Sequence, residues 1–240
     1  MYRFCSTFPC NIIVASVSCV SIFSHAFASV PFSSIYPLDI YFITTINNIY
    51  KCYTPVERVE TLHKALINVM QNAQVLGWQG RYNQLHSILM QSYDFSNMAR
   101  IASGSYWKTF TEIQKANVVE AFSRMSIATY ASRFNTYGGE WFETIAVETL
   151  PQSHPSVMVR TRLVKRDGTE VQLSYRLVVA RGSWRIVDVF YKGTISELAN
   201  QRAQYLTVLK KSGYDRLLQK LNEKVNKLAV GEQEGSDGLP

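Results

Sequence analysis

The sequence predicts an α+β fold, with helices packed on one face of a curved antiparallel sheet of about four to five strands, in a single domain. Three observations lead there. Apolar residues recur at every third and fourth position as far as Phe134, the period drops to two after Gly138-Gly139, and helical spacing returns after Gly193. A period of 3.6 marks an element that buries one stripe, and a period of two marks strands with one apolar face. Elements of both kinds in one chain bury those surfaces against each other.

Thr54-Pro55-Val56-Glu57 opens the first helix with a capping box and a proline in its first turn. Val56, Val59, Leu62, Leu66, Val69, Met70 and Ala73 form its stripe, and Gly77 and Gly80 are expected to end it. A short second helix carries Tyr82, Leu85, Ile88 and Leu89. Asp94 caps a third, with Phe95, Met98 and Ile101, which Gly104 stops. Thr111-Glu112-Ile113-Gln114 is a second capping box, and it opens a long helix with Ile113, Val118, Phe122, Met125 and Thr129 towards Phe134.

Residues 141–149, 157–165, 169–180 and 183–191 read as strands, and the turns set their register. Arg166-Asp167-Gly168 suits a three-residue hairpin loop with Gly168 in the left-handed region. That loop places Leu163, Thr161, Val159 and Val157 opposite Val171, Leu173, Tyr175 and Leu177. A two-residue loop would set Arg162 and Arg160 against Leu173 and Tyr175, a slip that puts charge on the apolar face. Arg181-Gly182 then makes a two-residue turn, pairing Val179, Leu177, Tyr175 and Leu173 with Trp184, Ile186, Asp188 and Phe190. The opposite face carries Arg160, Arg162, Arg176 and Arg185 and is expected to be wet. After Gly193 a helix restarts at Thr194-Ile195-Ser196-Glu197, with Thr194 or Ser196 as cap. Gly213 divides it, and Leu217, Leu218, Leu221, Val225 and Leu228 form the last stripe. Residues 229–240 are Gly- and acid-rich and are expected to be a disordered tail.

The N-terminus points to export. Arg3 is the only charged residue before Asp39, an apolar stretch follows it, and the stretch ends in Ala26-Phe27-Ala28. A positive start, a short apolar core and an A-x-A ending describe a secretory signal over residues 1–28, cleaved after Ala28. The competing readings are a membrane-anchoring helix and, less well matched, acylation at Cys19. Residues 29–53 form an extension without clear period. Cys5, Cys10 and Cys19 lie in the signal, so only Cys52 remains, which excludes an internal disulfide and a cysteine-rich metal site. The formal charge of +7 is spread among acids without a dense basic cluster, so nucleic acid is not an expected partner.

Chemistry-bearing motifs are scarce. The chain has no Gly-x-Ser-x-Gly elbow, no phosphate-cradling glycine loop and no His-Glu-x-x-His helix. His63, His86 and His154 fall on different predicted elements, where each reads as a surface or partly buried histidine. Asp188 lands on the apolar face opposite Tyr175, so its carboxylate needs a hydrogen bond there, from Tyr175 or from backbone, or a role in orienting a headgroup. No catalytic group, metal or cofactor is expected. An exported enzyme using Asp188 with Tyr175 or a histidine is the rival reading.

Tyr93-Asp94-Phe95-Ser96-Asn97-Met98-Ala99-Arg100, followed by Gly104 and Trp107, resembles a stretch of the periplasmic lipid-binding family of MlaC and the toluene-tolerance proteins. Trp184-Arg185-Ile186-Val187-Asp188-Val189, then Gly193 and Ser196, is similar to another. Ala128-Thr129-Tyr130-Ala131-Ser132-Arg133-Phe134 and Thr194-Ile195-Ser196-Glu197-Leu198-Ala199 look closest to the hopanoid-associated HpnM branch. The resemblance covers Thr54 to Leu228, so residues 54–228 are expected to form the lipid-binding domain. It implies a monomeric periplasmic carrier that shuttles phospholipid between an outer-membrane lipoprotein complex and an inner-membrane MCE-domain ABC transporter. A hopanoid-binding or hopanoid-transport protein is the alternative. On that reading the acyl chains are lined by Val159, Tyr175, Leu177 and Phe190 on the sheet and by Met98, Phe122, Met125 and Tyr130 on the helices.

Overall fold

The computed structural model describes residues 53–151 and 155–231. The signal (1–28), Cys52 and nearly all of the extension (29–53), His154 and residues 232–240 of the expected tail lie outside the described residues. Those described belong to the unit that runs from Lys51 to Pro240.

The helical half comes first. Helix α1 (Pro55–Gln71) begins at the capping box expected of it: Thr54 Oγ1 accepts from Glu57 N at 3.2 Å, and Glu57 Oε2 accepts from Thr54 N at 2.8 Å. It stops at Gln71, six residues before the glycine expected to end it. Helix α2 (Ala73–Ser92) follows at once and breaks internally at Gly77. Gly80 sits within α2 as an ordinary helical residue. Asp94 caps α3 (Phe95–Ser103), a 3-10 turn (Gly104–Lys108) follows, and the Thr111 box opens α4 (Glu112–Arg133). Helix α4 buries residues around most of its circumference, Phe122, Ile127 and Ala131 among them, because it packs against α2, α3 and α5 at once. Ile113, expected in its stripe, lies before that packing starts and is exposed.

The sheet is a meander in the order β1-β2-β3-β4-β5, antiparallel throughout: β1 (Trp141–Thr149), β2 (Ser156–Val164), β3 (Glu170–Ala180), β4 (Ser183–Tyr191) and β5 (Ile195–Ser196). The β2–β3 register is the expected one, from Val157 opposite Leu177 to Leu163 opposite Val171. Its loop is the three-residue one, with Lys165 N donating to Thr169 O at 2.8 Å and Gly168 at φ 82°.

The β3–β4 register holds only as far as Leu177 opposite Ile186. Val187 then bulges out of the ladder, so Asp188 pairs with Arg176, Val189 with Tyr175, and Phe190 with Ser174. Each residue beyond the bulge therefore changes face relative to the expectation: Val189 joins Tyr175, and Phe190 goes to the other side. Hairpin chemistry predicts the turn but not a bulge further along the strand. The outer face is also less wet than expected. Arg160 lies along Glu148 at 2.6 Å, and Arg162 bridges Glu143 and Glu170 at 2.6 and 2.7 Å, so the arginine stems cover the sheet.

Helix α5 (Glu197–Ala229) is capped by Ser196 and breaks at Gly213. There φ is 76° and ψ −173°, a region that side chains with a Cβ rarely occupy, and open space surrounds an added methyl group. Gly213→Ala should therefore lower unfolding free energy by about 1–3 kcal/mol through backbone strain alone. Equilibrium urea denaturation with an unchanged m value would confirm it, and a stability equal to wild type would show that the break carries no strain.

Candidate functional site

Where the C-terminal turn of α4 crosses the sheet, the packing is incomplete. A cavity of about 30 Å³, open in part to solvent, is bounded by Thr129, Tyr130, Arg133 and Phe134 of α4 and by Leu173, Tyr175 and Val189 of the sheet. A second, of about 60 Å³, lies beside it and shares Thr129, Tyr130, Arg133 and Val189. Tyr93, Phe95 and Met98 close one side of it, Ser126 another, and Glu197 and Gln201 of α5 the last. Both are far smaller than the roughly 300–1,000 Å³ of common ligand pockets, but like those pockets they combine apolar walls with a few placed polar groups.

The walls hold together through stacked and hydrogen-bonded rings. Tyr130 stacks on Phe134 with centroids 5.6 Å apart, and Tyr93 stacks on Phe95 at 5.3 Å. The hydroxyls of Tyr93 and Tyr130 are hydrogen-bonded to each other. Tyr175 Oη, beneath the cavity, meets His63 Nε2 at 3.0 Å, and the His63 ring stacks on Phe142 at 3.8 Å. All these groups are neutral. Burial pushes the Tyr130 phenol up to about 12 and raises Tyr93 and Tyr175 well above the usual phenol range, while it lowers His63 to about 3. His63 is thus a core residue at 4 % exposure and not the surface or partly buried one the sequence suggested; His86 is exposed.

Asp188 lies on β4 beside Val189, behind the cavity wall. Its Oδ2 accepts from Ser196 Oγ at 2.7 Å and its Oδ1 from Leu198 N at 3.2 Å, which fastens the first turn of α5 to β4. Burial raises its carboxyl pKa and these hydrogen bonds oppose the rise. The expected partner Tyr175 is engaged elsewhere, because the bulge moves Asp188 to the row of Arg176.

Of the eight side chains expected to line the acyl site, Met98, Tyr130 and Tyr175 do border the cavities. Phe122, Met125, Val159 and Leu177 are buried in the core and border neither of these two cavities. Phe190 is on the opposite face. Apolar periodicity identifies what is buried, and it is blind to whether the space beside a buried residue is filled. Leu173 carried no signal beyond its place on the apolar sheet face, whereas Val189, Thr129, Tyr130, Arg133 and Phe134 all belong to the stretches that carry the family resemblance. Among the described residues no three His, Cys, Asp or Glu side chains gather as a metal site, and no helix is long and apolar enough to cross a membrane.

Residues 60–223, more than half of the sequence, match the profile of the MlaC protein family. The chain belongs to that family. Tyr93, Phe95, Met98, Thr129, Tyr130, Arg133, Phe134, Val189 and Glu197, from the stretches that resemble MlaC proteins, border these two adjoining cavities. Among solved structures, a phospholipid-binding protein from Ralstonia solanacearum, determined in complex with a phospholipid, shares the fold. It has a TM-score of 0.63 and 21% identity, over 72% of this chain and 97% of that one. No curated protein is significantly similar in sequence.

The buried imidazole makes stability depend on pH. Unfolded, His63 titrates near 6.5; folded, it stays neutral to about 3. Between these values the unfolded state binds the extra proton, so stability is present above pH 6.5 and falls as pH drops, by at most about 1.4 kcal/mol per unit. His63→Gln, which keeps a polar partner for Tyr175, should flatten the stability profile between pH 6.5 and 4. Parallel denaturation curves for the two proteins across that window would contradict the assignment.

Proposed function

We propose that the protein is a periplasmic phospholipid carrier that holds acyl chains between the end of α4 and the inner face of the sheet. The observation that carries this reading is the unfilled, mostly apolar space at that crossing, in a fold shared with a protein solved around a phospholipid. Burying a methylene is worth about 0.8 kcal/mol, so a sixteen-carbon chain left in water forfeits on the order of 12 kcal/mol. A carrier must enclose the tails, while the headgroup can stay at the mouth. Two tails need more room than either cavity provides, so loading parts α4 and α5 from the sheet. Residues 1–28 act as the cleavable export signal, residues 29–53 as a leader to the lipid-binding domain and the residues beyond Leu228 as a tail. In the cell the carrier passes phospholipid between an outer-membrane lipoprotein complex and an inner-membrane MCE-domain ABC transporter.

Mass spectrometry of solvent extracts from the purified protein tests the cargo. Stoichiometric phospholipid is expected; hopanoid in its place would change the cargo, and a protein that neither carries nor accepts lipid would end the proposal. Val189→Trp places an indole in both cavities and should remove most of the bound phospholipid while thermal unfolding stays cooperative. Leu177→Trp, by contrast, enters filled core and should lower stability by about 1–3 kcal/mol.

A further inference from the structure

The rim of this pocket has a lopsided hydrogen-bonding inventory. Arg133 borders both cavities and is the basic residue of their walls. Facing it in the second cavity are Glu197 and Gln201, one turn apart on α5. Among the described residues neither the Arg133 nor the Glu197 side chain is in an ion pair or a side-chain hydrogen bond, and Gln201 Oε1 is a buried acceptor with no partner. Thr129 and Ser126 spend their hydroxyl protons on the Met125 and Phe122 carbonyls, each at 2.9 Å, so towards the cavity they too offer only lone pairs. Glu197 has Arg133 and Lys224 as cationic neighbours and Asp188 as an anionic one, and its partial burial raises its carboxyl pKa.

A buried acceptor without a donor is costly, and a ligand that supplies the donor is favoured over one that cannot. The guanidinium asks for an anion, with a geometry that suits phosphate. Building on the carrier reading, we infer that the rim selects headgroups joining a phosphate to hydrogen-bond donors, either a primary ammonium or hydroxyls, over headgroups capped by methyl groups. Arg133 takes the phosphate oxygens. Gln201 Oε1 and the Glu197 carboxylate take the donors. Choline carries phosphate and positive charge but no N–H, so it satisfies Arg133 and leaves Gln201 unpaired.

The test is competitive loading. Lipid-stripped protein is incubated with vesicles of phosphatidylethanolamine, phosphatidylglycerol and phosphatidylcholine in equal amounts with identical acyl chains, and bound lipid is measured by mass spectrometry. The ethanolamine or glycerol lipid, or both, should load roughly fivefold over choline, the scale of one net hydrogen bond. The leading lipid tells ammonium from hydroxyl. Gln201→Leu should bring that ratio close to one, and Arg133→Gln should lower uptake of all three, since each carries the phosphate. Glu197→Gln, which keeps an acceptor but removes the charge, should lower ethanolamine relative to glycerol. Equal loading of the three lipids by wild type, or a preference untouched by both α5 variants, overturns the inference and leaves the carrier reading standing. Failure to load any of them overturns both.

Discussion

Val187 has no partner across β3, and β4 turns over where it sits. Before it, Ile186 faces the helices opposite Leu177; after it, Val189 does so opposite Tyr175. The same turn-over brings Asp188 under the first residues of α5, where it receives the Ser196 hydroxyl and the Leu198 amide. Tyr93 bridges to Ile186 just before the bulge, with Asp94 N donating to Ile186 O at 2.9 Å, and so α3 starts from the same stretch of strand. Two helices and one cavity wall thus take their positions from four consecutive residues of β4. A bulge bends a strand and increases its twist, and both cavities open at Val189, just beyond it.

Space opened this way stays open only if its walls resist collapse. Large rings with few accessible rotamers line it, and their hydroxyls are tied to one another or to His63. Each of these ring hydroxyls is satisfied by a neighbour that is itself held by stacking, so one ring cannot swing inward without leaving another unpaired. Arg81 adds a brace from behind, donating to the Ala131 carbonyl at 2.8 Å and to the Ala73 carbonyl at 3.0 Å, which ties the end of α4 to the start of α2. Arg185 does the same for the end of α2, where the Met90 and Gln91 carbonyls accept from it.

Much of this architecture is legible in the residues. Capping boxes at Thr54 and Thr111 announce helices at the right positions, because they report hydrogen bonds local to one turn. The loop at Arg166-Asp167-Gly168 sets the β2–β3 register for the same reason. What escaped is non-local. The bulge at Val187 answers to Tyr93, almost a hundred residues earlier, so the alternation after Ile186 misassigns Asp188 and Phe190. His63 looks like a surface residue on its helix until Phe142 and Tyr175 arrive from the sheet. The site suffered most, since Met98, Tyr130 and Tyr175 read no differently from Phe122 or Leu177. A wall and a filled core share the same period, and only the packing in three dimensions distinguishes them.

The meander order bears on how the chain reaches this state. Each strand pairs with its neighbour in sequence, across loops of a few residues, so closing each hairpin restricts little chain. The sheet can grow pair by pair from its tightest turn at Arg181-Gly182, with no step that waits for distant segments to meet. Docking α1 to α3 is the entropically demanding event, because those helices precede the sheet and the long α4 lies between. The pocket's floor is thus built from contacts between segments adjacent in sequence, and its helical roof from contacts that span much longer stretches of chain.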